Sequence, residues 1–151
     1  MAEPAVNDLS AWVGRERSET ERLDARLVRW LAAALDRDDL LAASDGTVLP
    51  AGWHWVYFNA VEPRSGLGRD GHPRKGDFLP PTEQPRRMWA GSRLNWHRPF
   101  QAGVAIERRS TILRCERKQG RGGAMVFVTV GHRYLAEAAP ILDEQHDIVY
   151  R

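Results

Sequence analysis

The sequence predicts an α+β domain in which a sheet wraps against one helix. Helical periodicity appears in one stretch near the N-terminus, over residues 19–37. After a long loop rich in proline and glycine, residues 62–85, the apolar residues fall into strand-length runs separated by tight turns. Helix first and strands afterwards, with no alternation between them, is the α+β pattern. A chain of 151 residues is one domain's length, enough to bury a core.

Each element has its local reason. Residues 1–10 read as a flexible N-terminus ahead of a single domain over 11–151. Ser18 and Glu21 form a capping-box pattern. Leu23, Leu27, Trp30, Leu31, Ala34 and Leu35 then recur at helical spacing, which predicts a helix over 19–37 with one apolar face. The segment 53–58, six large and mostly aromatic residues after Pro50-Ala51-Gly52, reads as a buried strand or a short buried helix. Strands are predicted over 88–98, 104–118, 124–134 and 141–150, with a glycine-rich hairpin at 119–123. The unbroken apolar run 125–130 reads as a central strand covered on both faces.

Composition narrows the function classes. The chain is 42% apolar and 28% charged, with a mean hydropathy of −0.51. No apolar run approaches the roughly 18 residues of a membrane span, and residues 1–9 lack the basic-then-apolar pattern of a signal peptide. One cysteine, Cys115, excludes an internal disulfide framework and any multi-cysteine metal site. A cytoplasmic protein fits these features. Five histidines with no i, i+4 pair give no metal signature, and no cofactor is expected.

The net charge of +2 hides an uneven layout. Residues 1–45 carry 6 basic and 10 acidic side chains, whereas residues 64–121 carry 14 basic and 5 acidic. The basic middle suits an anionic ligand, although 20 of the 22 basic residues are arginine, as codon bias alone would give. The densest stretch is 86–99, which places four arginines among Trp89 and Trp96. A nucleic acid ranks last as partner, since the aromatics lie in core-like runs and not in stacking strips.

Several strings together resemble a known family: LPAGWHWVYF at 49–58, DGHPRKGDFLPP at 70–81, RRMWAGSRLNWHRP at 86–99, KQGRGG at 118–123, VFVTV at 126–130 and DIVYR at 147–151. They are similar to the N-terminal half of the 3-methylfumaryl-CoA (mesaconyl-CoA) hydratases, within the MaoC-like acyl-CoA hydratase/dehydratase superfamily. The resemblance implies a hotdog fold, with an antiparallel sheet wrapped around a helix. It implies reversible addition of water to an enoyl-CoA thioester. A lone hotdog leaves a sheet edge and an apolar helix face to cover, so a homodimer, or a heterodimer with a catalytic hotdog half, is expected. The family's catalytic aspartate and histidine sit in a D-x-N-P-x-H motif of the C-terminal half, and no Asn-Pro occurs in this sequence. The chain is therefore expected to be a catalytically incomplete half, a separate subunit, or a divergent form that uses other residues. A non-catalytic acyl-CoA-binding subunit and a hotdog thioesterase are the alternatives.

Hydration needs a base for water, an acid for the α carbon and donors for the developing enolate. His54, between two tryptophans, is the expected acid/base, or else a buried structural histidine. Trp55, Tyr57 and Trp89 are expected to wall the substrate site. Arg86, Arg87 and Arg93 are candidates to hold a distal carboxylate through bidentate contacts, or else to form surface ion pairs. Lys118 and Arg121, flanking the glycine-rich turn, are candidates for a CoA phosphate. His132 and His146 meet only if the last hairpin has the right register. Cys115 reads as a small core residue.

Overall fold

The computed structural model describes residues 8–151. Five antiparallel strands form one sheet: β1 (Glu16–Arg22), β2 (Arg87–Trp96), β3 (Ala105–Gly120), β4 (Gly123–Ala136) and β5 (Ala139–Tyr150), in the order β1-β3-β4-β5-β2. One helix, α1 (Ala25–Ala34), packs on the inner face. The architecture is the α+β hotdog that the sequence predicts, and the four expected strands are present with shifted ends. Most of the expected N-terminal tail, residues 1–7, lies outside the described residues. Leu9 and Trp12 beyond it are buried in the core.

Residues 19–22, the start of the expected helix, instead belong to a fifth strand, and the helix begins only at Ala25. The Ser18–Glu21 pattern is not a capping box: these side chains reach across to other elements. Ser18 Oγ donates to Glu107 at 2.7 Å, Glu19 pairs with Arg108, and the Glu21 carboxylate accepts the Phe58 N–H. The true cap is Asp24, whose Oδ1 accepts the Arg26 N–H at 2.8 Å. The buried face also differs from the expected one. Ala25, Val28 and Ala32 are buried, while Trp30 and Leu35 point outward at 60% and 55% exposure. Segment 53–58 resolves as a 3-10 turn, Trp53–Val56, entered through Gly52 at φ +85°.

Strand alternation divides the inner face into three zones. One end carries Ile106, Tyr134 and Leu142, which pack against α1. The other carries Ile112, Val126, Val128, Val130, Ile148 and Tyr150, covered by Leu9, Trp12, Phe78 and Leu79. Between them runs a polar row set by register: Ser110 opposite His132, and His132 opposite Glu144. β4 is central, as its apolar run suggests, but only Val126, Val128 and Val130 are fully covered; Phe127 and Thr129 on the outer face are half-buried. β2 is an edge strand, and Trp89 on it is 65% exposed instead of buried in the core.

Asp24→Ala should lower unfolding free energy by about 1 kcal/mol in urea titration. Ser18→Ala should leave helix content unchanged by circular dichroism, because that hydroxyl caps nothing.

Candidate functional site

Beside the polar row lies a half-open cavity of about 390 Å³, lined by the Tyr134 and His146 side chains that bond Glu144. Its wall is built by the 3-10 turn (Trp55), the residues after it (Tyr57, Phe58, Asn59), Trp89 of β2, Arg108 of β3, Tyr134 of β4 and His146 of β5.

Glu144 stands at the centre, 1% exposed, with four side-chain hydrogen-bond partners. Trp55 Nε1 donates to Oε1 at 2.8 Å, and His146 Nε2 lies 2.6 Å from the same oxygen. Tyr134 OH donates to Oε2 at 3.2 Å, and His54 Nε2 lies 3.3 Å from it. Burial pushes this carboxyl up. The hydrogen bonds from His146 and His54, the charge on His146 and the Trp55 bond outweigh burial and hold it well below the usual carboxylate range. Glu144 is therefore an anion at neutral pH, and Tyr134 beside it is pushed up, by burial first and then by the Glu144 charge.

His146 completes a carboxylate–imidazole couple. Its side chain is about a quarter exposed, and it lines the cavity. With Nε2–H donated to Glu144, Nδ1 is left to accept or give a proton, a tautomer assigned from the network. Its neighbour His132, rings 4.9 Å apart, bonds Ser110 Oγ through Nδ1 at 2.8 Å. Burial, then repulsion from His146 and Arg108, pushes His132 down to about 3, so it is neutral. The last hairpin thus has the register that brings the two histidines together.

The expected site residues divide. His54, Trp55, Tyr57 and Trp89 all reach the cavity. His54 is 1% exposed, bonded to Glu144 and stacked on Phe100 with centroids 5.1 Å apart. Its Nδ1 is enclosed without a partner, while its Nε2 faces Glu144. Tyr57 OH donates to the Asp24 carbonyl at 2.8 Å, and burial raises its hydroxyl to about 12. Trp89 Nε1 donates to Ser92 at 3.2 Å.

The expected cations go elsewhere. Arg93 projects to the outer face, bound to Asp147 at 2.7 Å and Gln145 at 3.1 Å. Arg86 is exposed beside β2, its backbone paired with Arg151. Arg87 is half-buried opposite Tyr150, beyond the cavity. Lys118 sits over the outward Phe127 ring at 5.1 Å and pairs with Glu116 at 3.7 Å, while Arg121 is in the β3–β4 turn. Sequence reasoning missed Glu144, Tyr134 and Arg108 and left His146 unassigned. A signal was present: Glu144 and His146 lie two apart on one strand and so share a face.

Phe58 is held at φ +59°, a strained conformation for a bulky residue. Its N–H is bonded by Glu21 and its carbonyl by Arg108 Nη2 at 3.1 Å. Two charged side chains from β1 and β3 thus fix this strained residue at the cavity wall. Among the described residues no group of three or more His, Cys, Asp and Glu side chains is placed to hold a metal ion, and no helix is long and apolar enough to cross a membrane.

Comparison with known proteins follows this geometry. Residues 52–151 match the family described as hydroxyacyl-thioester dehydratase type 2. The chain belongs to the hydroxyacyl-thioester dehydratase type 2 family. It is 39% identical over 145 residues to the mesaconyl-C(4)-CoA hydratase of Chloroflexus aurantiacus, covering 95% of this chain and 51% of that protein. The chain thus spans about half the length of that relative. The MaoC-like dehydratase from Rhodospirillum rubrum superposes with a TM-score of 0.57 at 18% identity, covering 91% of each chain. The HadBC (3R-hydroxyacyl-ACP dehydratase) complex of Mycobacterium tuberculosis gives 0.60 at 13% identity, covering 95% of this chain and 98% of that one. These likenesses place this hydroxyacyl-thioester dehydratase family member in the hotdog fold.

The network predicts acid sensitivity in two windows. His132 is depressed in the fold, so its contribution is full above its ordinary 6.5 and is lost as pH falls from there toward about 3. Glu144 is also depressed, so its contribution is full above about 4.5 and is lost below it. Urea unfolding between pH 7 and 5 should show a decline in the wild type that flattens in His132→Asn. Glu144→Gln should flatten the decline below pH 4.5.

Proposed function

We propose that this chain is a hydratase/dehydratase hotdog acting on an enoyl-CoA thioester, with His146 moving the proton. The observation that carries the reading is the Glu144–His146 couple, whose imidazole lines an aromatic-walled cavity. Family membership and the likeness to a protein named mesaconyl-C(4)-CoA hydratase support it.

In this reading the acyl chain lies between Trp55, Phe58 and Trp89. His146 Nδ1 takes a proton from water as the C3–O bond forms and the electron pair moves onto the thioester oxygen. The proton then goes to C2 as the enolate collapses, and dehydration runs the same steps backward. Glu144 stabilises the imidazolium formed midway, as a buried carboxylate does for its histidine. His54 and Trp55 keep Glu144 ionised and aimed, so His54 acts through Glu144 and not on substrate. No cofactor is needed for these steps. A cytoplasmic setting, where CoA thioesters are made and used, belongs to the same reading.

A second reading makes the chain the thioester-holding half beside another hotdog that supplies the chemistry. It is favoured by the exposed apolar side chains of edge strand β2: Met88 at 43%, Trp89 at 65% and Trp96 at 38%. On either reading we propose that this edge is covered by a second hotdog, a copy of the chain or a different subunit. Sedimentation at micromolar concentration should give a dimer, and a monomer would count against it.

Loss of enoyl absorbance from mesaconyl-CoA, followed with a thiol reagent present, tests the reaction. Hydration without CoA release is expected, and His146→Ala should cut turnover by at least about 100-fold with binding retained. Binding without turnover would assign the holding role, and CoA release would make the chain a thioesterase.

A further inference from the structure

We propose that Arg108 forms an anion subsite at the end of the cavity away from His146 and selects acyl thioesters whose chain ends in a carboxylate. The inference rests on the reading of the cavity as a thioester site. Arg108 is the one arginine or lysine among the described residues that lines it.

The guanidinium is partly engaged. Nε donates to the Glu19 carboxylate at 3.1 Å, and Nη2 donates to Glu19 and to the Phe58 carbonyl. Nη1 has no side-chain or backbone acceptor among these bonds, yet it is not among the enclosed atoms without a partner. On a residue that lines the cavity, Nη1 is thus neither paired in these bonds nor sealed from solvent, and the guanidinium also acts on the neighbouring Tyr134 hydroxyl. The side chain is only 20% exposed and lies over the Phe58 ring at 4.8 Å. A guanidinium already pinned and partly dried binds a carboxylate more strongly than a mobile surface arginine, because little further ordering is required.

Register sets the distance to the reacting end. Arg108 faces Tyr134, while Ile112 faces Val130 and Val130 faces His146. Four residues along the strands and two strands across separate the Arg108 and His146 Cα atoms by about 16 Å. Both side chains line the cavity, and an acyl chain of a few carbons would lie between them. An acid-ended chain puts its carboxylate on Nη1 when its double bond is near His146. A neutral chain puts methylenes there and strips water from the guanidinium without replacing it.

The nearby acids limit the effect without cancelling it. Glu19 occupies the other edge of the guanidinium, Glu21 is turned to the Phe58 N–H, and Glu144 is covered by its four partners. Removing the Glu19 charge should therefore strengthen the subsite, which a purely structural role for Arg108 would not predict.

The test is calorimetric binding of mesaconyl-CoA and crotonyl-CoA, which differ in the terminal carboxylate, to the full chain, Arg108→Gln and Glu19→Gln. Wild type should prefer the acidic probe. That preference should fall about tenfold in Arg108→Gln and rise in Glu19→Gln. Equal affinity of wild type for both probes, or equal weakening of both in Arg108→Gln with no gain in Glu19→Gln, overturns the subsite and leaves the thioester site standing. Binding of neither probe to wild type overturns the thioester reading itself.

Discussion

The structure depends on keeping one carboxylate charged inside a fold that is apolar on either side of it. Glu144 lies between two hydrophobic clusters, and a buried charge without donors would cost several kcal/mol. Three elements supply them: the 3-10 turn gives His54 and Trp55, β4 gives Tyr134, and β5 gives His146. That requirement docks the aromatic turn onto the sheet, places His54 between Phe100 and Trp96, and aims the Trp55 indole. It also interrupts the core. The apolar end against α1 and the apolar end under Phe78 and Leu79 do not merge, and the cavity takes Tyr57, Phe58 and Tyr134 of the first into its wall.

Most of the arginine that dominates the sequence does a different job. Arg93 with Asp147, Arg133 with Asp143, Arg109 with Glu107 and Arg114 with Glu116 form ion pairs with well-exposed guanidinium groups. Such pairs are worth little each in stability. They keep the outer face of the sheet wet and charged. Arg108 differs from these four, drawn to the inner face by alternation and held there by Glu19 and the Phe58 carbonyl.

The strands were legible because period-two alternation survives in any sequence that covers one face of a sheet. The fold class followed from their order. The helix start was misread because serine followed three later by glutamate suits a capping box and a cross-strand pairing equally well; only β3, with Glu107 and Arg108 waiting opposite, decides between them. The 53–58 segment stayed ambiguous for want of length. For the site, the sequence pointed to the aromatic turn and so found His54, Trp55 and Tyr57. It overlooked Glu144 because three of its four partners lie 10 or about 90 residues away in the chain, and His146 two residues on does not by itself mark a site. It overvalued Arg93 because density of charge says nothing about which face a side chain takes.

The irregular points in the strands carry a lesson of phase. β2 breaks register between Trp89 and Gly91, and β3 between Ile112 and Arg114. Each bulge adds one residue and so reverses the in-out parity of everything beyond it. Without the extra residue in β2, Trp89 would turn away from the cavity while Ser92, Leu94 and Trp96 kept their places. Without the one in β3, Ile112 and Cys115 would not both face inward. Single-residue deletions in these two strands are therefore not small changes. Each would exchange the wet and dry sides of half a strand while leaving its composition almost untouched.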